Sequence, residues 1–247
     1  MVMCMADTHE KPVREIVIPG DLLSAGGHRS GQGTYKLGGN IYASMLGIKR
    51  VRGNVVEVVP LSGKYVPQKG HTIIGKVIDI GPSFWVIDLN SPFIGILHVN
   101  DTRWKVGFDE TSKFLEKGAY IICAVSEIEK EGKALVSLKF PGCRKIDKGT
   151  IITVQASRVP RIIGKDGSMI EVIKKGTGCQ IFVSKNGRVW LDGTSDSITL
   201  AIEAIRMVES EAPTLGLTER VSAYLRVHGS HKDGQMSIKP EKTGKGE

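Results

Sequence analysis

The segment RVPRIIGKDGSMIEVIKKGTG, residues 158–178, constrains the fold more than any other part of the chain. Two glycines, Gly164 and Gly167, bracket Lys165 and Asp166 between two short apolar runs with helical spacing. A plain connection between helices does not need both glycines. Glycine lacks a Cβ and tolerates backbone conformations closed to other residues, so the bracket points to a backbone that something approaches closely. The surroundings are equally specific. GTIITVQA reads as a strand before the bracket, and CQIFVSKNGRVWLDG reads as a hairpin after it, with Asn186-Gly187 as the two-residue turn. In SDSITLAIEAIRMVESEA, residues Ile198, Ala201, Ile202, Ile205 and Val208 fall on one helical face. Gly176 is placed to end the helix that begins after Gly167. The order is β-α-α-β-β-α.

A GxxG loop between the first two helices of such a unit resembles the KH domain. That resemblance implies about four nucleotides held between the loop and an apolar groove. The loop feeds a helix whose first amides lack internal partners and can point at phosphate. Arg161 and Lys165 add attraction for phosphate. Ile162, Ile163, Ile170, Ile181 and Val183 are the candidates for the groove, and Asp166 either turns away or meets a base edge. Two plainer readings stay open: a glycine turn with no ligand, and a KH fold that meets protein.

Upstream, the runs HTIIGKVIDI, FWVIDL, GILHV, YIICAVSEIE and KALVSLK are separated by turn signals. Five short strands in about 70 residues fit a small closed barrel of the OB kind. Its longest gap, residues 100–119, has room for a short helical piece. GKVIDIGPSFWVIDL followed by GILHVND resembles the S1 class of this barrel, which implies base stacking by strand aromatics with help from a histidine, His98. The usual stacking positions fall at Ser83 and Val86, with Phe84 and Trp85 one place off. A one-residue shift turns a side chain to the other face of a strand. Trp85 and Lys76 join the candidate contacts, and His98 reads equally as an RNA contact or a structural residue. Arg103, Trp104 and Lys105 form a basic-aromatic patch, or Trp104 covers an apolar edge. GHTIIGK at 70–76 has P-loop spacing, but Val77 stands where a magnesium-binding hydroxyl is needed.

Residues 13–69 are rich in glycine and short β-like runs, including REIVIPGD and NVVEVVPL. They read as a small β domain with one long mobile loop at 24–39, in which His28, Arg29 and Lys36 are placed to meet RNA. Residues 1–12 read as a frayed start. Residues 213–225 add a helix, and the tail from about His228 lacks apolar periodicity and reads as disordered. The expected division is 1–69, 70–142, 146–212 and 213–247, in a mainly β fold with one α+β domain.

The formal net charge of +8 favours a polyanionic partner. Cys4, Cys123, Cys143 and Cys179 are widely spaced, without zinc-ligand patterns, and read as reduced thiols. No apolar run has the length of a membrane span, so a soluble, cytoplasmic protein is expected. Asp79, Asp88, Asp101 and Asp109 do not cluster as two-metal nuclease chemistry requires, and neither a catalytic residue nor a cofactor or metal is expected.

A β domain, an S1 barrel and one KH domain in this order resemble the KH-bearing cap subunits of the archaeal RNA exosome, the ribosomal-RNA-processing protein four family. VIPGD at 17–21, GTYKLGGNIYAS at 33–44 and KYVPQKGHTIIGKV at 64–77 carry further likeness. The resemblance implies a non-catalytic subunit. A homotrimeric or mixed trimeric cap would sit on a hexameric ring of RNase PH-like subunits that holds the phosphorolytic 3′-to-5′ exonuclease. It would bind single-stranded RNA, with a leaning to adenine-rich tails, and feed it to the pore. The alternative is an S1/KH transcription or translation factor, although such elongation factors usually carry two KH domains in tandem.

Overall fold

The computed structural model describes residues 15–61, 63–107, 110–129, 131–211 and 216–229. The frayed start, Asp109, residues 213–215 and the tail beyond Gly229 lie outside the described residues. The chain divides into two compact units, one ending at Gly63 and the other starting at Lys64.

The first unit holds strands β1 (Ile16–Val17), β2 (Leu22–Ser24), β3 (Arg29–Ser30), β4 (Thr34–Leu37), β5 (Asn40–Ala43), β6 (Gly47–Arg52) and β7 (Val55–Pro60). They form a sheet ordered β1-β6-β7-β3 and a second ordered β2-β5-β4. Val17, Leu23, Ile41, Ala43, Val56 and Val58 make its core. The segment 24–39, expected as a mobile loop, instead contributes β3 and β4 to the two sheets. Two of its glycines serve close packing: at Gly31 a Cβ would meet Val55 Cγ1 at 2.7 Å and Val56 O at 2.9 Å, and at Gly33 it would meet Val58 O at 2.8 Å. Arg29 and Lys36 are exposed, whereas His28 Nδ1 lies 2.9 Å from Ser24 Oγ.

The second unit opens with the barrel: β8 (Thr72–Ile80), β9 (Phe84–Asp88), β10 (Ile94–His98), the short helix α1 (Thr111–Phe114), β11 (Tyr120–Ile128) and β12 (Lys133–Ser137). The order β12-β10-β9-β8-β11 closes on itself through β11–β12 pairing, with β10 and β12 parallel. Alternation puts Ile73, Val77, Ile87, Leu97, Ile121 and Val136 inside, the period-two pattern of a half-buried strand. Tyr65, from the segment before β8, also packs into this core. Strand β13 (Arg144–Ile146) extends the sheet beside β11.

The KH unit follows: β14 (Thr150–Thr153), α2 (Val159–Ile163), α3 (Ser168–Thr177), β15 (Gln180–Val183), β16 (Arg188–Asp192) and α4 (Ser195–Ser210). The antiparallel sheet runs β14-β16-β15, and the helices cover one face. Thr194 caps α4, its hydroxyl accepting from the Ser197 amide. A last helix, α5 (Leu217–Gly229), buries Leu217, Val221 and Leu225 in the same core. Helix α5 carries His228, where the sequence suggested that order ends.

Two local expectations change. Helix α3 passes through Gly176 and ends at Gly178, which takes φ +70°. Gly176 is glycine for another reason: a Cβ there would meet Leu225 Cδ1 at 2.8 Å and Leu225 Cβ at 3.0 Å. The β15–β16 connection spans four residues, Ser184 to Gly187, closed by the Gly187 amide on Ser184 O at 3.2 Å. Asn186 lacks the positive φ that a two-residue Asn-Gly turn demands, and only Gly187 (φ +82°) supplies it. The longer turn sets Asn186 against the barrel wall.

The KH sheet stacks on the barrel. Residues Ile151, Trp190 and Phe182 form one row across it. Trp190 is buried against Ile74 and Ile122 of the barrel wall, with Tyr120 and Ile146 beside them. The Arg144 guanidinium lies over the Trp190 ring, 5.1 Å from its centroid.

Candidate nucleic-acid interface

Helix α2 ends because Gly164 takes φ +78° and ψ 175°, outside the helical range, while its amide still donates to Pro160 O at 3.0 Å. Asp166 then enters the left-handed region at φ +52°, one of two non-glycine residues to do so among those described. Gly167 (φ +82°) is the residue before α3 and supplies no side-chain cap, while the Ser168 amide donates to Lys165 O. The two glycines differ in purpose. At Gly164 a Cβ would meet the Met169 amide nitrogen at 2.6 Å, so this glycine permits packing. At Gly167 the nearest atom would be Ile170 Cγ2 at 4.0 Å, so the backbone here is open to a ligand. Lys165, Asp166 and Arg161 are exposed around it.

The apolar residues behind the loop separate into two sets. Ile163, Ile170 and Val183 are half-buried, as a groove lining should be. Ile162 and Ile181 are buried at 0% and 5% exposure in the KH core. Ile162 is therefore corrected from a contact to a core residue: it lies on the inward face of α2.

On the barrel, register decides which aromatic faces out. Phe84 pairs with His98 and Trp85 with Leu97 across β9 and β10. Phe84 is exposed, while Trp85 is at 0% and donates its indole N–H to Thr111 O at 3.2 Å. Trp85 is thus corrected to a core residue, and Phe84 takes the outer position beside His98. Val86, Ile94 and Ile96 continue the outer strip. The His98 Nδ1 accepts from the Asn100 amide at 3.2 Å, so the neutral ring carries its proton on Nε2. It caps a turn and still faces the strip beside Phe84.

The remaining candidates are scattered. Lys76 pairs with Asp88 in the β8–β9 register, at the far end of β9 from Phe84, and its Nζ lies 5.7 Å from the Tyr120 ring centroid. Arg103 donates to Phe140 O at 2.8 Å. Trp104 stacks on Phe114 with centroids 5.6 Å apart and packs on the barrel core, so it covers an apolar edge.

The residues that organise the seam between barrel and KH sheet escaped the sequence reading. Arg188 is buried; it forms an ion pair with Asp88 and donates to Asp88 O at 2.7 Å and Ile74 O at 3.1 Å. Asn186, fully buried, donates to Ile74 O and Leu89 O, both at 2.8 Å. The signal was present in RVWLD. Val189 and Leu191 face the helices, so Arg188, Trp190 and Asp192 share the opposite face, where a large aromatic implies a cover.

Among the described residues, no group of three His, Cys, Asp or Glu side chains is placed to hold a metal ion, and no helix is long and apolar enough to cross a membrane. Cys123, Cys143 and Cys179 are buried free thiols, and burial pushes the Cys123 thiol pKa well up.

An OB-type barrel stacked on a single KH unit, with an open GxxG loop, places the chain in the class of modular proteins that join such a barrel to a KH domain. Comparison with known proteins narrows this. Residues 14–62 match the family described as "Exosome RNA binding protein RRP4 N-terminal domain", and residues 149–207 match the KH domain family. The exosome complex component Rrp4 of Thermoplasma acidophilum is 40% identical over 230 residues, covering 93% of this chain and 97% of the relative. That of Methanococcoides burtonii is 43% identical over 213 residues, covering 86% and 81%. A crystal structure of a proposed exosome complex RNA-binding protein superposes with a TM-score of 0.64 at 32% identity, covering 69% of this chain and 99% of that one. The chain belongs to the Rrp4 family of exosome complex components.

Proposed function

We propose that this chain is a non-catalytic RNA-binding subunit of an exosome, which gathers single-stranded RNA and passes it to a phosphorolytic 3′-to-5′ exonuclease ring. The observation that carries the reading is the open backbone at Gly167, beside the exposed Lys165 and Arg161 and leading into the start of α3. The Phe84–His98 strip supplies a second surface, suited to stacking without sequence preference. Two barrel carboxylates are engaged with cations, Asp79 with Lys117 and Asp88 with Arg188, which suits a binding role better than a catalytic one. Family membership supports the exosome assignment. In this reading the unit around β1–β7 docks on the ring, three cap subunits surround the pore, and adenine-rich tails are favoured substrates in the cytoplasm.

The test is direct. Purified chain is mixed with labelled single-stranded RNA, and both binding and RNA length are followed. Saturable binding with intact RNA is expected. Loss of binding would overturn the RNA reading, and reproducible shortening of the RNA would overturn the non-catalytic one. Lys165→Asp combined with Arg161→Glu should weaken binding; unchanged affinity would remove the GxxG loop from the RNA path.

A further inference from the structure

We infer that Arg188 and Asn186 are positioning residues that lock the KH turn onto the end of β9, and so join the barrel strip and the GxxG groove into one continuous site for single-stranded RNA. This rests on the RNA-binding reading above. Hairpin turns usually lie in solvent. Here the turn is spent on the barrel. Both amide hydrogens of Asn186 go to barrel carbonyls, and its Oδ1 accepts the Ser184 hydroxyl. The Asn90 side chain in turn donates to Asn186 O at 2.8 Å. The Arg188 guanidinium meets one carboxylate and two carbonyls, and Trp190 buries the sheet face beside it. A hinge at this seam would strand a buried guanidinium and leave barrel carbonyls unpaired, so the two surfaces hold one relative geometry.

The lock also lies between the two RNA surfaces. Phe84, Val86 and Asp88 alternate along the outer face of β9, and Arg188 holds Asp88. From Phe84 to Asp88 is about 13 Å of strand. On the other side, β15 ends at Val183 of the groove lining, and the docked turn begins at the next residue. The outer strip of β9 and the groove lining of β15 therefore both end at the docked turn. A KH groove takes about four nucleotides and an OB barrel at least about four, so the joint site holds on the order of ten. Fixed geometry makes the second contact intramolecular, with a high effective concentration.

The experiment measures equilibrium binding of the full chain to single-stranded RNAs of about 5 and about 12 nucleotides, lengths that fill one surface or both. The expected result for the unaltered chain is an affinity rise of about tenfold or more from short to long RNA. Arg188→Met and the shape-conserving Asp88→Asn should keep the short-RNA affinity within about twofold and lose most of that rise. A role confined to stability would lower both lengths together, so a parallel loss, or a rise retained in the variants, overturns the inference. Absence of the length step in the unaltered chain overturns it without any variant. Failure to bind either length overturns the RNA-binding reading itself.

Discussion

Phe84 and His98 stand opposite one another on β9 and β10, and Phe84 is exposed while its neighbour Trp85 is sealed in the barrel core. The two aromatics therefore fail in different ways. Phe84→Ala should weaken RNA binding by about 1–3 kcal/mol, the usual worth of one stacked base, with a smaller loss of stability than Trp85→Ala because its ring is partly exposed. Trp85→Ala should cost about 3–5 kcal/mol of stability. Fluorescence anisotropy and thermal unfolding separate the two outcomes. Full RNA affinity in Phe84→Ala would take the outer strip out of the RNA path.

Neighbouring positions of the GxxG loop should separate in the same way. Gly164→Ala forces a Cβ against the Met169 amide at positive φ, and should lose about 1–3 kcal/mol of stability. Lys165→Asp leaves the fold intact, weakens RNA binding, and lowers the slope of log affinity against log salt by about one. A salt titration of the variant beside the unaltered chain reads that slope.

Gly176 sets helix propensity against packing. Alanine gains about 1 kcal/mol over glycine inside a helix. Here its Cβ would press on both Cβ and Cδ1 of Leu225, so α5 must shift, at a cost typical of overpacking, about 1–3 kcal/mol. Gly176→Ala is expected to be net destabilising in denaturant unfolding. In a Leu225→Ala background, which removes Cδ1, the same change should be markedly less harmful.

Tyr65 and His71 make a pH-sensitive contact, with the Tyr65 hydroxyl 2.9 Å from His71 Nδ1. Burial, and then the nearby Lys185, hold the His71 pKa below its ordinary value. The native state thus favours the neutral ring, and the unfolded chain takes up the proton first. The contribution is fully present above the unfolded pKa of about 6.5 and is lost as pH falls below it. Unfolding midpoints should drop more steeply between pH 7 and pH 5.5 in the unaltered chain than in His71→Gln. Identical slopes would contradict this.

The barrel and the KH unit were legible because their strands and helices carry clean periods: Ile73, Val77 and Ile121 alternate inward, and Ala201, Ile205 and Val208 keep helical spacing. Trp190, on the face of β16 opposite Val189 and Leu191, is the one sequence sign that the KH sheet has a second buried face. Arg188 and Asn186 look like surface residues until the barrel is placed against them, because their partners, barrel carbonyls and the Asp88 carboxylate, lie about a hundred residues away in sequence. The first unit was least legible. Its strands β3 and β4 are short and largely exposed, and glycines that permit close packing there read as signs of mobility. Trp85 and Ile162 show the limit of motif transfer. One step of register or helical phase decides which side chain meets solvent, and the sequence places a residue only to within that step.

If this chain serves an exosome as its RNA-binding subunit, its partners in the cell will show it. A tagged form of the chain is recovered from native extract after ribonuclease treatment, and co-purifying proteins are quantified by mass spectrometry. RNase PH-like subunits in stoichiometric amounts are expected. Recovery of ribosomal or polymerase subunits, with no RNase PH-like protein present, would contradict the account.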